Sequence, residues 1–143
     1  MRRNYLKIEF PAKSDNESLA RTVCAAFVLE LDPTVEEMTE IKTAISEGVT
    51  NAIIHAYKNG EGLVRIYCVS EDNEVTYTIE DTGCGIEDIE KAKEPLFSGS
   101  GDPERSGMGF SIMEAFTDEL RVESSVGKGT RIIMKKRISV NEE

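Results

Sequence analysis

Three groups of residues in this chain have types and spacings that could do chemistry together. The first is Glu47 and Asn51, four apart. On a helix that spacing puts both on one stripe, about 40° apart around the axis. A carboxylate on a partly covered helix face suits two jobs: it takes a proton from a hydroxyl or water, or it binds Mg²⁺. Asn51 adds a neutral oxygen ligand that could share the ion. A Glu-Asn pair at this spacing also occurs on ordinary exposed helix faces, so the pair alone decides nothing. His55 continues the stripe and reads as structural, a cap or core-edge histidine.

The second group is Asp81-Thr82-Gly83-Cys84-Gly85. An Asp at a strand end, held by a sharp turn, can accept a hydrogen bond from an exocyclic amine. Gly83 and Gly85 let backbone approach a flat ring. A plain strand-to-helix turn uses the same residues.

The third group closes a Gly-rich stretch, Ser98 to Ser106, with Gly107-Met108-Gly109 opening a helix. Free backbone N–H groups at a helix start, aided by the dipole, bind phosphate. Arg105, just before the turn, could clamp a γ-phosphate or its transition state; a solvated loop charge is the plainer alternative. No third glycine makes a dinucleotide fingerprint, and no GxxxxGK[ST] makes a Walker loop. Gly127-Lys128-Gly129-Thr130 lies between strands and reads as a hairpin turn, with Thr130 directed into the sheet.

The elements that must position these groups follow from periodicity. Leu6, Ile8 and Phe10 alternate in a half-buried strand that Pro11 ends. Ser14 or Asp15 can cap a helix whose apolar residues are Leu19, Val23, Ala26, Phe27 and Leu31. Pro33 stops it, and Asp32 or Thr34 opens the longest helix, from Val35 to about Tyr57. The stripe of that helix is Met38, Ile41, Ile45, Val49, Ala52 and Ala56, with Gly60 a left-handed cap. Two alternating strands, 64–69 and 75–80, form a hairpin on Glu71-Asp72-Asn73-Glu74 and deliver Asp81 to the sheet end. A short helix over 86–93, a long loop over 95–106, a helix over 110–117 and a final hairpin complete the order. These elements predict an α/β two-layer sandwich, a mixed sheet of about five strands with helices on one face.

Bulk properties narrow the class. A chain of 143 residues, 39% hydrophobic and 31% charged, suits one soluble domain. No apolar run approaches the ~18 residues of a membrane span, and the start, Met1-Arg2-Arg3-Asn4-Tyr5, is no secretory signal; a cytoplasmic location is the default. A net charge of −10 provides no general footprint for nucleic acid, and Lys135-Lys136-Arg137 reads as a solvated strand end. Cys24, Cys68 and Cys84 lack CxxC spacing and read as reduced thiols, the first two in the core.

In order, Glu47-x-x-x-Asn51, Asp81-x-Gly83-x-Gly85, Gly107-x-Gly109 and Gly129-Thr130 resemble the four nucleotide-binding boxes of the GHKL ATPase superfamily. The resemblance covers nearly the whole chain and implies one ATP-binding domain over 1–143 with the Bergerat sandwich fold. Within the superfamily, the stretches 16–21, 46–57 and 104–110 are most similar to the stand-alone anti-sigma F factor serine kinases of spore-forming bacteria.

That resemblance implies a dimer that holds a sporulation sigma factor inactive and uses MgATP to phosphorylate a serine on an anti-anti-sigma protein. It also assigns roles. Glu47 is the general base, and Asn51 binds Mg²⁺. Asp81 recognises the adenine amine, with Gly83, Gly85 and Thr130 around the nucleotide. Arg105, Ser106, Gly107, Met108 and Gly109 handle phosphates, and Arg21 lies on the partner-binding face. Histidine kinases usually carry Asn where this chain has Glu47, and the chain has no dimerisation helix with a phosphoacceptor His, so autophosphorylation has no support. Two rival readings use the same pocket: a nucleotide-gated sequestering protein, and an ATPase that phosphorylates no partner.

Overall fold

A computed structural model describes residues 3–56, 62–86, 88–89, 93 and 109–139. Five strands form one sheet: β1 (Arg3–Pro11), β2 (Leu63–Glu71), β3 (Glu74–Asp81), β4 (Glu119–Ser125) and β5 (Gly129–Arg137). Their spatial order is β1-β2-β3-β5-β4. Period-two alternation makes the sheet two-faced: Val75, Tyr77 and Ile79 of β3 are buried, and the residues between them are half-covered.

All four neighbouring pairs are antiparallel, where a mixed sheet was expected. A strand–helix–strand crossover such as the one from β3 to β4 makes two strands run the same way. β3 and β4 do run the same way. The last strand, β5, sits between them and opposes both, so no parallel pair forms.

Among the described residues three α-helices lie against the sheet: α1 (Asp15–Phe27), α2 (Val35–Thr50) and α3 (Gly109–Phe116). α2 is central and packs on both others. It begins at a capping box: Glu37 N–H donates to Thr34 Oγ1 at 3.0 Å, and Thr34 N–H donates to the Glu37 carboxylate at 2.8 Å. Ser14 precedes α1 but makes no capping hydrogen bond with its side chain. The core joins Ile41, Ile45 and Val49 of α2 to Met113 of α3 and to Ile66, Ile79, Ile132 and Met134 of the sheet. The two-layer sandwich with helices on one face is therefore as the sequence predicts. The opposite face carries exposed ion pairs, Glu9–Arg65 and Glu80–Arg131, of a kind that adds little stability singly.

Three local expectations change. The buried side of α1 is Ala20, Cys24 and Ala25, whereas Leu19 is 55% exposed. Small residues let the helix approach its neighbours closely, and a count of bulky apolar side chains misses them. α2 does not run on unchanged to Tyr57: it widens into a π-helical segment over Asn51–Ala56, a distortion that recurs at functional sites. Lys136 is not solvated; its Nζ donates to the Phe116 carbonyl at 3.0 Å and faces Glu40 at 3.7 Å. Cys24 and Cys68 are buried and free, their sulfurs 3.9 Å apart, and Cys84 is exposed. Most of the expected 86–93 helix, all of the 95–106 loop and the Gly60 cap lie outside the described residues.

Candidate nucleotide and phosphoryl-transfer site

Asp81, Thr130 and Ser124 form a row across three strands. Asp81 on β3 registers with Thr130 on β5, and Thr130 registers with Ser124 on β4. Alternation puts the row on the inner, helix-covered face, in line with Ile79, Ile132 and Val122 one step further in. Asp81 is 7% exposed and Thr130 5%. An Asp this covered must find donors. The Gly83 N–H donates to Asp81 Oδ1 at 2.9 Å, and the backbone N–H of Thr130 also favours the ionised carboxylate. Burial pushes the Asp81 carboxyl up from its ordinary range, and the two backbone donors pull against that.

The loop after Asp81 is clamped by the β4–β5 turn. Gly127 N–H donates to the Cys84 carbonyl at 2.7 Å. A β-carbon on Gly85 would lie 2.2 Å from the Ser125 carbonyl oxygen, and one on Gly129 would lie 2.1 Å from that of Asp81. Both glycines also have positive φ, 78° and 114°. The glycines of this site thus first serve the close approach of two backbone segments. Gly83 contributes differently, through its amide.

Glu47 projects from α2 on the other side. It is half-buried, and a β-carbon added to Gly109, the first residue of α3, would sit 3.2 Å from its Oε2. Burial raises the Glu47 carboxyl above its usual range, and the charge of Glu17 on α1 raises it further. Glu17 accepts a hydrogen bond from Ser46 and pairs with Arg21 at 3.6 Å. Arg21, Lys42, Ser46 and Glu47 line a surface groove of about 510 Å³ between α1 and α2. The groove brings Arg21, expected on a partner-binding face, to the same opening as the expected base. Asn51 is half-buried at the junction where α2 becomes π-helical, one turn beyond Glu47.

Of the residues singled out from sequence, Arg105, Ser106, Gly107 and Met108 lie outside the described residues, as does the side chain of His55. Sequence reasoning missed Ser124, Glu17 and Ser46. For Ser124 a signal was present: it falls two residues after Val122, so a hydroxyl replaces an apolar side chain on the inner face of β4.

The acceptor set suits a nucleotide base. A buried carboxylate at the sheet end, flanked by a hydroxyl, matches an exocyclic amine. Among the described residues no cluster of three or more His, Cys, Asp or Glu could hold a metal. Mg²⁺ bound through Asn51 would take most of its ligands from phosphate and water, the ordinary preference of that ion.

Comparison with known proteins gives the family. Residues 10–136 match the family described as histidine kinase-like ATPase domain. The chain is 54% identical over 143 residues, all of both chains, to the anti-sigma F factor of Clostridium acetobutylicum. It is 55% identical over 138 residues, 96% of this chain and 94% of the relative, to that of Geobacillus kaustophilus. Among solved structures, the RsbU and RsbW domains of Rv1364c from Mycobacterium tuberculosis superpose with a TM-score of 0.70 at 20% identity, over 96% of this chain and 33% of that one. The catalytic domain of histidine kinase ThkA superposes with a TM-score of 0.59 at 18% identity, over 93% and 96%. At such identities the likeness to these two structures is one of fold.

Proposed function

Since the chain belongs to the anti-sigma F factors, within the histidine kinase-like ATPase domains, we propose that it is a cytoplasmic, homodimeric protein-serine kinase. In this reading it holds a sporulation sigma factor inactive and phosphorylates a serine of an anti-anti-sigma protein. The observation that carries the proposal is the placement of Glu47. Its half-buried carboxylate has a raised affinity for protons, opens onto the groove that also holds Arg21, and lies against the first residue of α3.

MgATP supplies the γ-phosphoryl group. Asp81 accepts a hydrogen bond from the adenine amine while the Gly83 N–H holds its carboxylate. Asn51 holds Mg²⁺. Backbone N–H groups of Ser106, Gly107, Met108 and Gly109 bind the phosphates, and Arg105 stabilises charge on the transferred group. Arg21 docks the partner so that its serine enters the groove. Glu47 accepts the serine proton as the Oγ–P bond forms and the bond from the γ-phosphorus to the bridging oxygen breaks, ADP taking the electron pair. Positioning and electrostatics provide most of the rate.

The test mixes the full chain with [γ-³²P]ATP and candidate partner proteins, with a parallel pull-down of sigma factors in ADP. Label on a partner serine, cut about 10²–10⁴-fold by Glu47→Ala with ADP affinity unchanged, is the expected result. Full-rate labelling by that variant removes Glu47 as the base. Sigma capture without label indicates a nucleotide-gated sequestering protein, and phosphate release without label an ATPase alone.

A further inference from the structure

The hydroxyl of Ser124 has three partners. The Ile86 N–H donates to its Oγ at 2.8 Å, Ser124 Oγ reaches the Gly129 carbonyl at 2.9 Å, and Thr130 Oγ1 lies 2.8 Å away. A serine hydroxyl offers one proton and two lone pairs. The amide of Ile86 can only donate, so it occupies one lone pair. The carbonyl of Gly129 can only accept, so it takes the proton. What remains for Thr130 is the second lone pair, and Thr130 must therefore donate its own hydroxyl proton to Ser124.

We infer that Ser124 is a specificity-determining residue that acts through Thr130, holding the Thr130 hydroxyl as a pure acceptor beside Asp81. With its proton spent on Ser124, Thr130 Oγ1 presents only lone pairs to the pocket. Asp81, already receiving the Gly83 N–H, is likewise an acceptor. Two acceptors side by side suit the two N–H bonds of a 6-aminopurine. A 6-oxopurine puts a carbonyl there, which meets lone pairs on both sides. Both side chains are almost wholly buried, so little water is at hand to relieve the mismatch. The same Ser124 hydroxyl joins the 82–86 loop to the β4–β5 turn, so the polarity of Thr130 is fixed by the fold.

The inference rests on the adenine reading above, and the test separates the two. ADP and IDP, which differ at the purine 6-position, are titrated calorimetrically into the full-length wild type, Ser124→Ala and Ser124→Thr. The wild type is expected to prefer ADP by about 100-fold or more, as sites built on buried hydrogen bonds do. In Ser124→Ala the Thr130 proton is free to turn toward a 6-oxo group, and the ADP-to-IDP preference is expected to fall about tenfold. Ser124→Thr, which keeps the hydroxyl, should retain the preference. The ratio of affinities is the readout because a merely structural loss weakens both nucleotides alike. Equal weakening of ADP and IDP by Ser124→Ala, or no change in either, overturns the role of Ser124. A wild type that binds the two equally, or neither, overturns the adenine assignment and this inference with it.

Discussion

The Glu47 carboxylate occupies the space that a side chain on Gly109 would need: a β-carbon there would stand 3.2 Å from Glu47 Oε2. Gly109→Ala keeps the backbone N–H at the start of α3 and adds only that carbon. The carboxylate must then shift by a few tenths of an ångström. Displacing a catalytic group by about 1 Å can cost about 10²-fold, so this smaller shift should lower kcat about tenfold. ADP affinity should stay within about threefold, because the hydrogen-bonding backbone is intact. Steady-state phosphorylation of the partner and calorimetric titration of ADP measure the two effects separately.

The raised proton affinity of Glu47 has two readouts. In the proposed role the ionised form is the base, so phosphoryl transfer should fall as pH drops through a value above the usual carboxylate range of about 4.3. Glu17→Gln removes the second cause of the shift and leaves burial, the larger one. The acid limb of the pH–rate profile should move to lower pH without reaching the ordinary value. Stability follows the opposite sign from a salt-bridged carboxylate. A folded-state pKa above the unfolded one means that ionisation costs stability at neutral pH, and that this cost vanishes below the unfolded pKa. Glu47→Gln should therefore be more stable than wild type in urea at pH 7, with the gain gone near about pH 4. An unchanged midpoint at pH 7 would contradict the burial of the charge.

How α2 comes to hold Glu47 over the sheet gives another prediction. A β-carbon on Gly48 would lie 2.5 Å from Ile79 Cδ1. Gly48 thus lets α2 sit directly on β3, two residues before Asp81, and ties the helix that carries Glu47 to the strand that carries Asp81. Gly48→Ala should cost about 1–3 kcal/mol by overpacking. Ile79→Val removes the clashing methyl group, so the double variant should recover part of the loss. Urea unfolding of the four proteins in a double-mutant cycle measures the coupling, and strict additivity would exclude the contact as the cause.

What the sequence disclosed about this site depended on the range of the interactions. Glu47 and Asn51 were legible because helical spacing is local, and Asp81 because a strand ends visibly at Thr82-Gly83. The insertion of β5 between β3 and β4 was not, since strand pairing between β3 and β5 joins residues from 49 (Asp81↔Thr130) to 63 (Glu74↔Arg137) apart and leaves no periodic trace. For the same reason Glu17 stayed hidden: its bearing on Glu47 requires α1 to lie beside α2. Small residues misled in α1, where Ala20 and Cys24 are buried and Leu19 is not. The π-helical turn at Asn51 has no signature in composition, and it changes the direction of the side chains that follow Glu47.

Two glycines of the β4–β5 turn separate backbone strain from crowding. Gly127 has φ 79°, and a β-carbon on it would meet nothing within 4 Å. Gly127→Ala should therefore cost about 1–2 kcal/mol from the left-handed conformation alone, with ADP affinity preserved. Gly129 has φ 114°, and its β-carbon would lie 2.1 Å from the Asp81 oxygen and 2.7 Å from Thr82 Cα. Gly129→Ala must push β5 off the end of β3, which moves Thr130 away from Asp81. The expected result is a larger loss of stability than for Gly127→Ala, together with at least a tenfold loss of ADP affinity, the cost of about one misplaced hydrogen bond. Thermal unfolding and ADP titration of both variants check this, and equal behaviour of the two would show that crowding at Asp81 is not what requires glycine at position 129.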